Sequence, residues 1–400
     1  MKVRAFSGVL LSCLVWANLS VSGGWAKPHT EPGVSRIELV ESFPSETDLD
    51  QPDLREARTV WLEMISGAKR EILWQTFYLA HEKGRASEPV MEALKKAARR
   101  GVKVQLLVDG KFRTQYPESL HELDAVPGVE VRSSGVGEWY HGVMHAKAIF
   151  VDGREGFVGS QNFDWRSLEH IRELGVHFVS PDLCRPYREA FLWEWDHAGD
   201  ATPPTTLAPS DSSPVKIGSS TVLPTFSPNA LNGPKAAGDE AQIVKLLEAS
   251  TTSIEIGLLN YSPLDHHGRE YDPKLDNAIR AAAVRGVKVR MLLGHWVEKS
   301  QGFDHLASLD ALENLEIRAL RIPLAREGEI PFARVHHSKY LVCDASKAWL
   351  GTANWQSDYF HKSRNYGLVM LDGPLPGRLR RLFDFDWDRA TALEKASKKN

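Results

Sequence analysis

His145-Ala146-Lys147-Ala148-Ile149-Phe150-Val151-Asp152 is followed, six residues later, by Gly159-Ser160-Gln161-Asn162, and the pattern returns further on. The second copy is His337-Ser338-Lys339-Tyr340-Leu341-Val342-Cys343-Asp344, then six residues, then Gly351-Thr352-Ala353-Asn354. Two copies at equal spacing in one chain make the pattern a repeat, and the repeat decides the fold.

The flanks repeat in the same order. Leu73 to Tyr78 and Ile254 to Tyr261 are apolar strand-like runs, each ending at a tyrosine. After each comes a stretch with apolar residues at three- and four-residue spacing, Val90 to Arg100 and Leu275 to Arg285, stopped by Gly101 or Gly286, which suits a left-handed C-cap. A second apolar run follows, Val102 to Val108 or Val287 to Leu293. Strands separated by helices imply crossover connections, so the expected class is α/β: two α/β/α halves, duplicated, with a pseudo-two-fold axis and one site between them.

The expected organisation is a leader over residues 1–26, an N-terminal half over 27–200, a connector over 201–238, a C-terminal half over 239–390 and a charged tail over 391–400. The leader has a basic start, Lys2 and Arg4, an apolar stretch from Ala5 to Leu19 and small residues up to Ala26, the pattern of a cleaved export signal to the periplasm or outside, read ahead of the alternative of a retained membrane or lipid anchor. The connector is rich in Pro, Ser, Thr and Gly and reads as exposed. Of three cysteines, Cys13 falls in the leader; Cys184 and Cys343 are too few for a cysteine-rich zinc site and, in an exported chain, read either as one disulfide or, since Cys343 sits in a core-type strand, as plain buried thiols.

A formal net charge of -3 shows no global basic excess, so a polyanionic substrate has to be held by a local cluster. That cluster is the repeat. On a strand His145 and Lys147 share a face while Asp152 points away, and His337, Lys339 and Asp344 follow the same parity. The aspartates are therefore supporting residues, as are Ser160 and Thr352 in the turns. A lone strand histidine is usually a satisfied core residue; here each is paired with a lysine and a downstream asparagine, Asn162 or Asn354, in both halves.

Two histidines, two lysines and two asparagines at one interface suit an anionic phosphodiester. One imidazole attacks phosphorus and becomes phosphohistidine, and the other protonates the leaving alkoxide. The lysines and asparagines hold the non-bridging oxygens as charge builds in the transition state. No carboxylate cluster surrounds the motifs, so neither metal nor cofactor is implied, and activity is expected in chelator. One asymmetry bears on roles: Glu173 follows His145 at the offset where Asn365 follows His337. A carboxylate on the far ring nitrogen orients an imidazole and stabilises the charge it acquires, which favours His145 as nucleophile and His337 as acid/base. His141 and His336 break the spacing and are expected at the rim or in a structural role.

The duplicated motif resembles the His-x-Lys-x4-Asp signature of the phospholipase D superfamily over essentially the whole mature chain. The resemblance implies the duplicated fold, a single site and a phosphohistidine mechanism. Leu39-Val40-Glu41-Ser42-Phe43-Pro44, Asn162 to Leu168, Asn260-Tyr261-Ser262-Pro263 and Ile330 to Val335 look like the branch of lysosomal 5′-exonucleases and poxvirus envelope phospholipase-like proteins. Two substrate classes follow. An exported nuclease acting on single-stranded DNA or RNA would use Trp139, Tyr140, Trp296, Trp355, Tyr359 and Phe360 to stack bases, with Arg334 and Arg364 on phosphates. A phospholipase D or transphosphatidylase would line an acyl groove with the same aromatics, but no amphipathic membrane-binding helix is evident. A non-catalytic scaffold would carry at least one degraded motif, and neither is degraded.

Overall fold

The computed structural model describes residues 35–394; the expected leader and the end of the tail lie outside the described residues. In the N-terminal half, β-branched and apolar runs form β1 (Arg36–Ser42), β2 (Glu71–Thr76), β3 (Lys103–Asp109), β4 (Val129–Ser134), β5 (Ala148–Val151), β6 (Glu155–Gly159) and β7 (Glu173–Val179). They lie side by side in the order β1-β7-β6-β5-β2-β3-β4. The C-terminal half supplies β8 (Ser220–Ser227), β9 (Ser253–Leu258), β10 (Lys288–Gly294), β11 (Leu315–Leu320), β12 (Tyr340–Cys343), β13 (Lys347–Gly351) and β14 (Asn365–Met370). Their order, β8-β14-β13-β12-β9-β10-β11, is the same one.

Each sheet is mixed. β2, β3 and β4 run parallel, as do β9, β10 and β11. The motif strands β5 and β12 join the other edge of β2 and β9 in antiparallel sense. Parallel neighbours require a crossover, supplied here by helices Ser87–Arg99 and Pro273–Val284. The glycines after them, Gly101 and Gly286, have φ of +89° and +87°, a left-handed conformation that costs a side-chain-bearing residue more.

Three cores follow from this layering. The crossover helix of the N-terminal half and helix Ala57–Gly67 bury Trp61, Met64, Val90 and Leu94 against Ile72, Trp74 and Leu106. The C-terminal half repeats this with Ile243, Leu247 and Ile279 against Ile254, Ile256 and Met291. Between the halves, Tyr187 and Phe191 of helix Pro181–Asp196 and Leu379 and Phe383 of helix Leu375–Trp387 share one cluster with both sheets. Truncating one of these buried Leu or Phe side chains to Ala costs about 2–5 kcal/mol, so the interface is a core and the halves do not separate as independent bodies.

Two boundaries differ from the sequence expectation. The connector is not exposed throughout: Ser220–Ser227 is β8, hydrogen-bonded to β14, with Val222 and Phe226 fully buried. Its composition is turn-like, but Val222, Pro224 and Phe226 alternate, and that alternation gives the strand a core face. At the other end, Thr391–Ala392 pairs with β11, so the tail begins as a sheet edge. Cys184 and Cys343 are both buried free thiols.

Candidate active site

The segments that lead into the two motif strands cross between halves. The His145 N–H donates to the carbonyl of Arg364 at 2.9 Å, and the Arg364 N–H donates to the Val143 carbonyl at 3.0 Å. In the mirrored contact the His337 N–H donates to Arg172 at 2.8 Å and the Arg172 N–H to Val335 at 3.0 Å. Each histidine is thus held by main chain from the other half. The arginines that lend these carbonyls are fully buried and reach across as well: Arg172 pairs with Glu41 and Asp386, Arg364 with Glu194.

Both lysines fold back onto their own strand. The Lys147 Nζ donates to the His145 carbonyl at 2.7 Å, and the Lys339 Nζ donates to that of His337. Burial is the main force on their acidity. It pushes Lys339 down to about 7, with Glu173 opposing, and holds Lys147 well below the usual lysine range, with the Lys339 charge adding to the effect. Burial, then Lys147 and Lys339, hold the His145 imidazole well below its ordinary value; burial, then Lys339 and Lys147, do the same to His337. Both lysines act on each imidazole, and Lys339 on Lys147, so the charges of the two motifs bear on one another across the halves.

Glu173 reverses the expectation drawn from its spacing. It does not back His145; its Oε2 lies 2.9 Å from Nδ1 of His337. The reason is the crossing just described: the segment ahead of β7 runs beside Val335–His337, so its side chain falls to the other half's ring. Ser167 donates to Glu173 Oε1 at 2.7 Å, and burial pushes the carboxyl up to about 7. His145 Nδ1 has Asn365 Oδ1 at 3.1 Å instead. The Asn365 Nδ2 donates to the carbonyls of Tyr359 and Ser363, so its oxygen is the atom left to accept, and the His145 proton sits on Nδ1. Nε2 of His145 then carries the lone pair.

The turns after the motifs set the remaining groups. A Cβ on Gly159 would meet the Gly175 Cα at 2.8 Å, so the motif glycine lets β6 and β7 close together. Ser160 exchanges hydrogen bonds with Leu174, and Thr352 donates to Asn365 Oδ1 at 3.0 Å. Asn162 and Asn354 are 5% and 6% exposed, and the Oδ1 of each has no protein partner, so the turn after each motif holds an unsatisfied buried acceptor. Asp152 and Asp344 point away from the site. Asp152 accepts the N–H groups of Lys69, Arg70 and Glu71; Asp344 takes those of Thr251, Thr252 and Ser253, which hold its carboxyl far below the usual range against burial.

The aromatics and arginines expected to touch substrate are mostly committed elsewhere. The Trp139 Nε1 donates to the Asp200 carbonyl and its ring packs on Trp193; the Tyr140 Oη faces the Ala230 carbonyl. Trp355 is fully buried against Trp349, and Phe360 is core. Arg334 clamps the carbonyls of Pro323 and Ser45. His336 is fully buried, and His141 is an exposed left-handed residue that ends a short helix. Tyr359 does reach the centre, its ring 4.7 Å from that of His145. Phe77 frames the other side at 5.1 Å, a residue whose only sequence signal was its place at the end of a strand. Among the described residues, the trio with metal-ligand geometry is Glu240, Asp272 and His361, none of them in this centre.

Paired imidazoles and ammoniums buried at a duplicated interface define a phosphodiester hydrolase. The chain belongs to the phospholipase D superfamily: residues 61–195 and 243–387 match the family described as "Cardiolipin synthase, PLD-like domain". It is 31% identical to Phospholipase D Z of Dictyostelium discoideum, over 88% of this chain and 89% of that protein. It is 28% identical to the 5′-3′ exonuclease PLD4 of Mus musculus, over 89% of this chain and 79% of that protein. The fold is also that of a phosphatidylserine synthase from Haemophilus influenzae, with a TM-score of 0.60 at 14% identity over 84% of this chain and 85% of that one. Among the described residues no helix is long and apolar enough to cross a membrane.

Proposed function

We propose that this hydrolase is an exported nuclease that cleaves single-stranded DNA or RNA without a metal, through a phosphohistidine. The observation that carries the mechanism is the unequal backing of the two rings, a carboxylate behind His337 and a carboxamide behind His145. Attack on phosphorus leaves a positive charge on the attacking imidazole, and a carboxylate on its Nδ1–H stabilises that charge far better than an amide dipole. The roles first assigned from spacing therefore exchange. His337 Nε2 attacks, the phosphorus–oxygen bond breaks, and the leaving alkoxide takes its proton from protonated His145. Water then attacks the phosphohistidine, His145 accepts the water proton, and the phosphorus–nitrogen bond returns its electron pair to His337. Lys147, Lys339, Asn162 and Asn354 hold the non-bridging oxygens, and the two unsatisfied asparagine oxygens are available to the attacking water or a sugar hydroxyl.

The nucleic-acid reading is supported by relatives named as 5′-3′ exonucleases, and export by the leader-like first residues. A relative named Phospholipase D supports the other substrate class. The deciding experiment incubates the mature protein in chelator with a 5′-hydroxyl single-stranded oligonucleotide and, separately, with phosphatidylcholine or phosphatidylglycerol vesicles, using His145→Ala as control. Oligonucleotide cleavage that the variant lacks is the expected result. Headgroup release or exchange with intact oligonucleotide makes the protein a lipid enzyme.

A further inference from the structure

A run of rings leads away from His145 along one side of the centre. Phe77 is 5.1 Å from His145, Phe112 is 4.0 Å from Phe77, Tyr78 is 6.2 Å from Phe112, and Tyr116 is 5.5 Å from Tyr78. All four are partly buried, each keeping some exposure to solvent. It ends at Arg166, whose Nη2 donates to the Tyr116 hydroxyl at 3.0 Å and whose Nη1 donates to the Pro331 carbonyl at 3.1 Å. One guanidinium, fixed by Asp164, thus ties the N-terminal ring series to a C-terminal loop.

The next residue of that loop is Phe332. It is 70% exposed and has a φ of +62°, and Arg334 two positions on has a φ of +54°. Left-handed backbone at a bulky side chain is costly and persists where the surroundings enforce it. Here the enforcement is visible: Arg334 clamps Pro323 and Ser45, and Arg166 clamps Pro331, so the loop is braced on both sides of a phenyl ring pushed into water. An exposed large apolar side chain held by a strained turn, on a loop that Arg166 ties to the ring series starting at His145, is poorly explained by packing.

We infer that Phe332 is a base-stacking platform: it receives a nucleobase of a single-stranded substrate outside the reacting phosphodiester, from the loop that Arg166 joins to Tyr116. The inference rests on the nucleic-acid reading above and adds where the strand leaves the centre. Stacking of this kind is tolerant of sequence, because every base has a π face.

The test measures Phe332→Ala and Phe332→Trp against a 5′-hydroxyl oligothymidylate and against bis(p-nitrophenyl) phosphate, a diester without a nucleobase. Phe332→Ala is expected to raise the oligonucleotide KM about tenfold, with kcat and all constants for the small diester unchanged; Phe332→Trp keeps the wild-type KM. Equal oligonucleotide KM for wild type and Phe332→Ala overturns the platform while the nuclease reading stands. Loss on both substrates assigns the ring a structural role and also overturns it. If the wild-type protein hydrolyses the small diester and phosphatidylglycerol vesicles but no oligonucleotide, the nuclease reading fails and takes the platform with it.

Discussion

Glu173 and His337 are separated by 164 residues and belong to different halves, yet the carboxylate oxygen lies 2.9 Å from the ring nitrogen. The contact makes two otherwise equivalent imidazoles chemically unequal, and it exists because the segment ahead of β12 that carries His337 is hydrogen-bonded to the segment ahead of β7 that leads into Glu173.

The trapping experiment separates the roles. With a p-nitrophenyl diester, whose leaving group departs without a proton, His145→Ala is expected to form phosphohistidine at His337 and to hydrolyse it slowly, because the base for water is gone. His337→Ala is expected to form none. Acid-quenched peptide mapping reads the outcome, and a covalent adduct on His145 in His337→Ala would sink the assignment.

The pH profile follows from the two rings' partners. Turnover needs His145 protonated, and burial with two lysines sets that ring well below its usual range; it needs Glu173 ionised, and burial sets that carboxyl up to about 7. When the acid has the lower value and the base the higher, the active fraction is flat between them and falls on both sides, so kcat/KM should decline above about pH 7. In Glu173→Gln the carboxyl titration is gone and only proton losses from His145 and the lysines remain. The plateau should vanish and activity should fall continuously from the acid side, which a profile of kcat/KM against pH measures directly.

Lys339 imposes a stability cost that a substitution should remove. Its value drops from 10.5 to about 7 on folding, so in that window the unfolded chain binds a proton the folded chain does not, and stability from this group rises with pH. The cost is complete below about 7. Lys339→Met should therefore abolish turnover while stabilising the fold by on the order of a few kcal/mol at acid pH, a gain that fades toward about pH 10. Urea unfolding at both pH values tests this; equal shifts at the two would contradict it.

Arg364 predicts the opposite sign. Removing it as Arg364→Met leaves Glu194, fully buried, facing only Gln75 at 3.1 Å and Ser134 at 3.4 Å. An uncompensated buried carboxylate costs about 3–5 kcal/mol, and the pairing Arg364→Met with Glu194→Gln should recover most of it. A single variant as stable as wild type in thermal unfolding would refute this account.

Much of this site was legible in the sequence, for identifiable reasons. The turning away of Asp152 was readable from local parity, although the structure places His145 to Lys147 just ahead of β5 and Asp152 just after it. The repeat supplied the fold, because two copies must bury equivalent faces. What escaped was long-range: the ring to which Glu173 belongs depends on how the halves cross, and spacing within one half is silent about that. The aromatics failed similarly. Trp355 and Trp139 stand near the motifs in sequence, but a bulky ring next to a motif turn fills the core as readily as it faces a ligand. Phe77, which touches the centre, looked like the end of a strand. The buried β8 escaped because proline, serine and threonine set its composition while Val222 and Phe226 set its place in the sheet.

The crosswise bonding of the halves also bears on what a duplicated chain can do that a pair of identical chains cannot. Two copies of one half, associated symmetrically, would place the same residue behind both imidazoles, and neither ring would have a reason to attack first. Joined in one chain, the copies can differ at a single offset, acid in one and amide in the other, and the proposed mechanism uses that difference to give attack and proton donation to different rings.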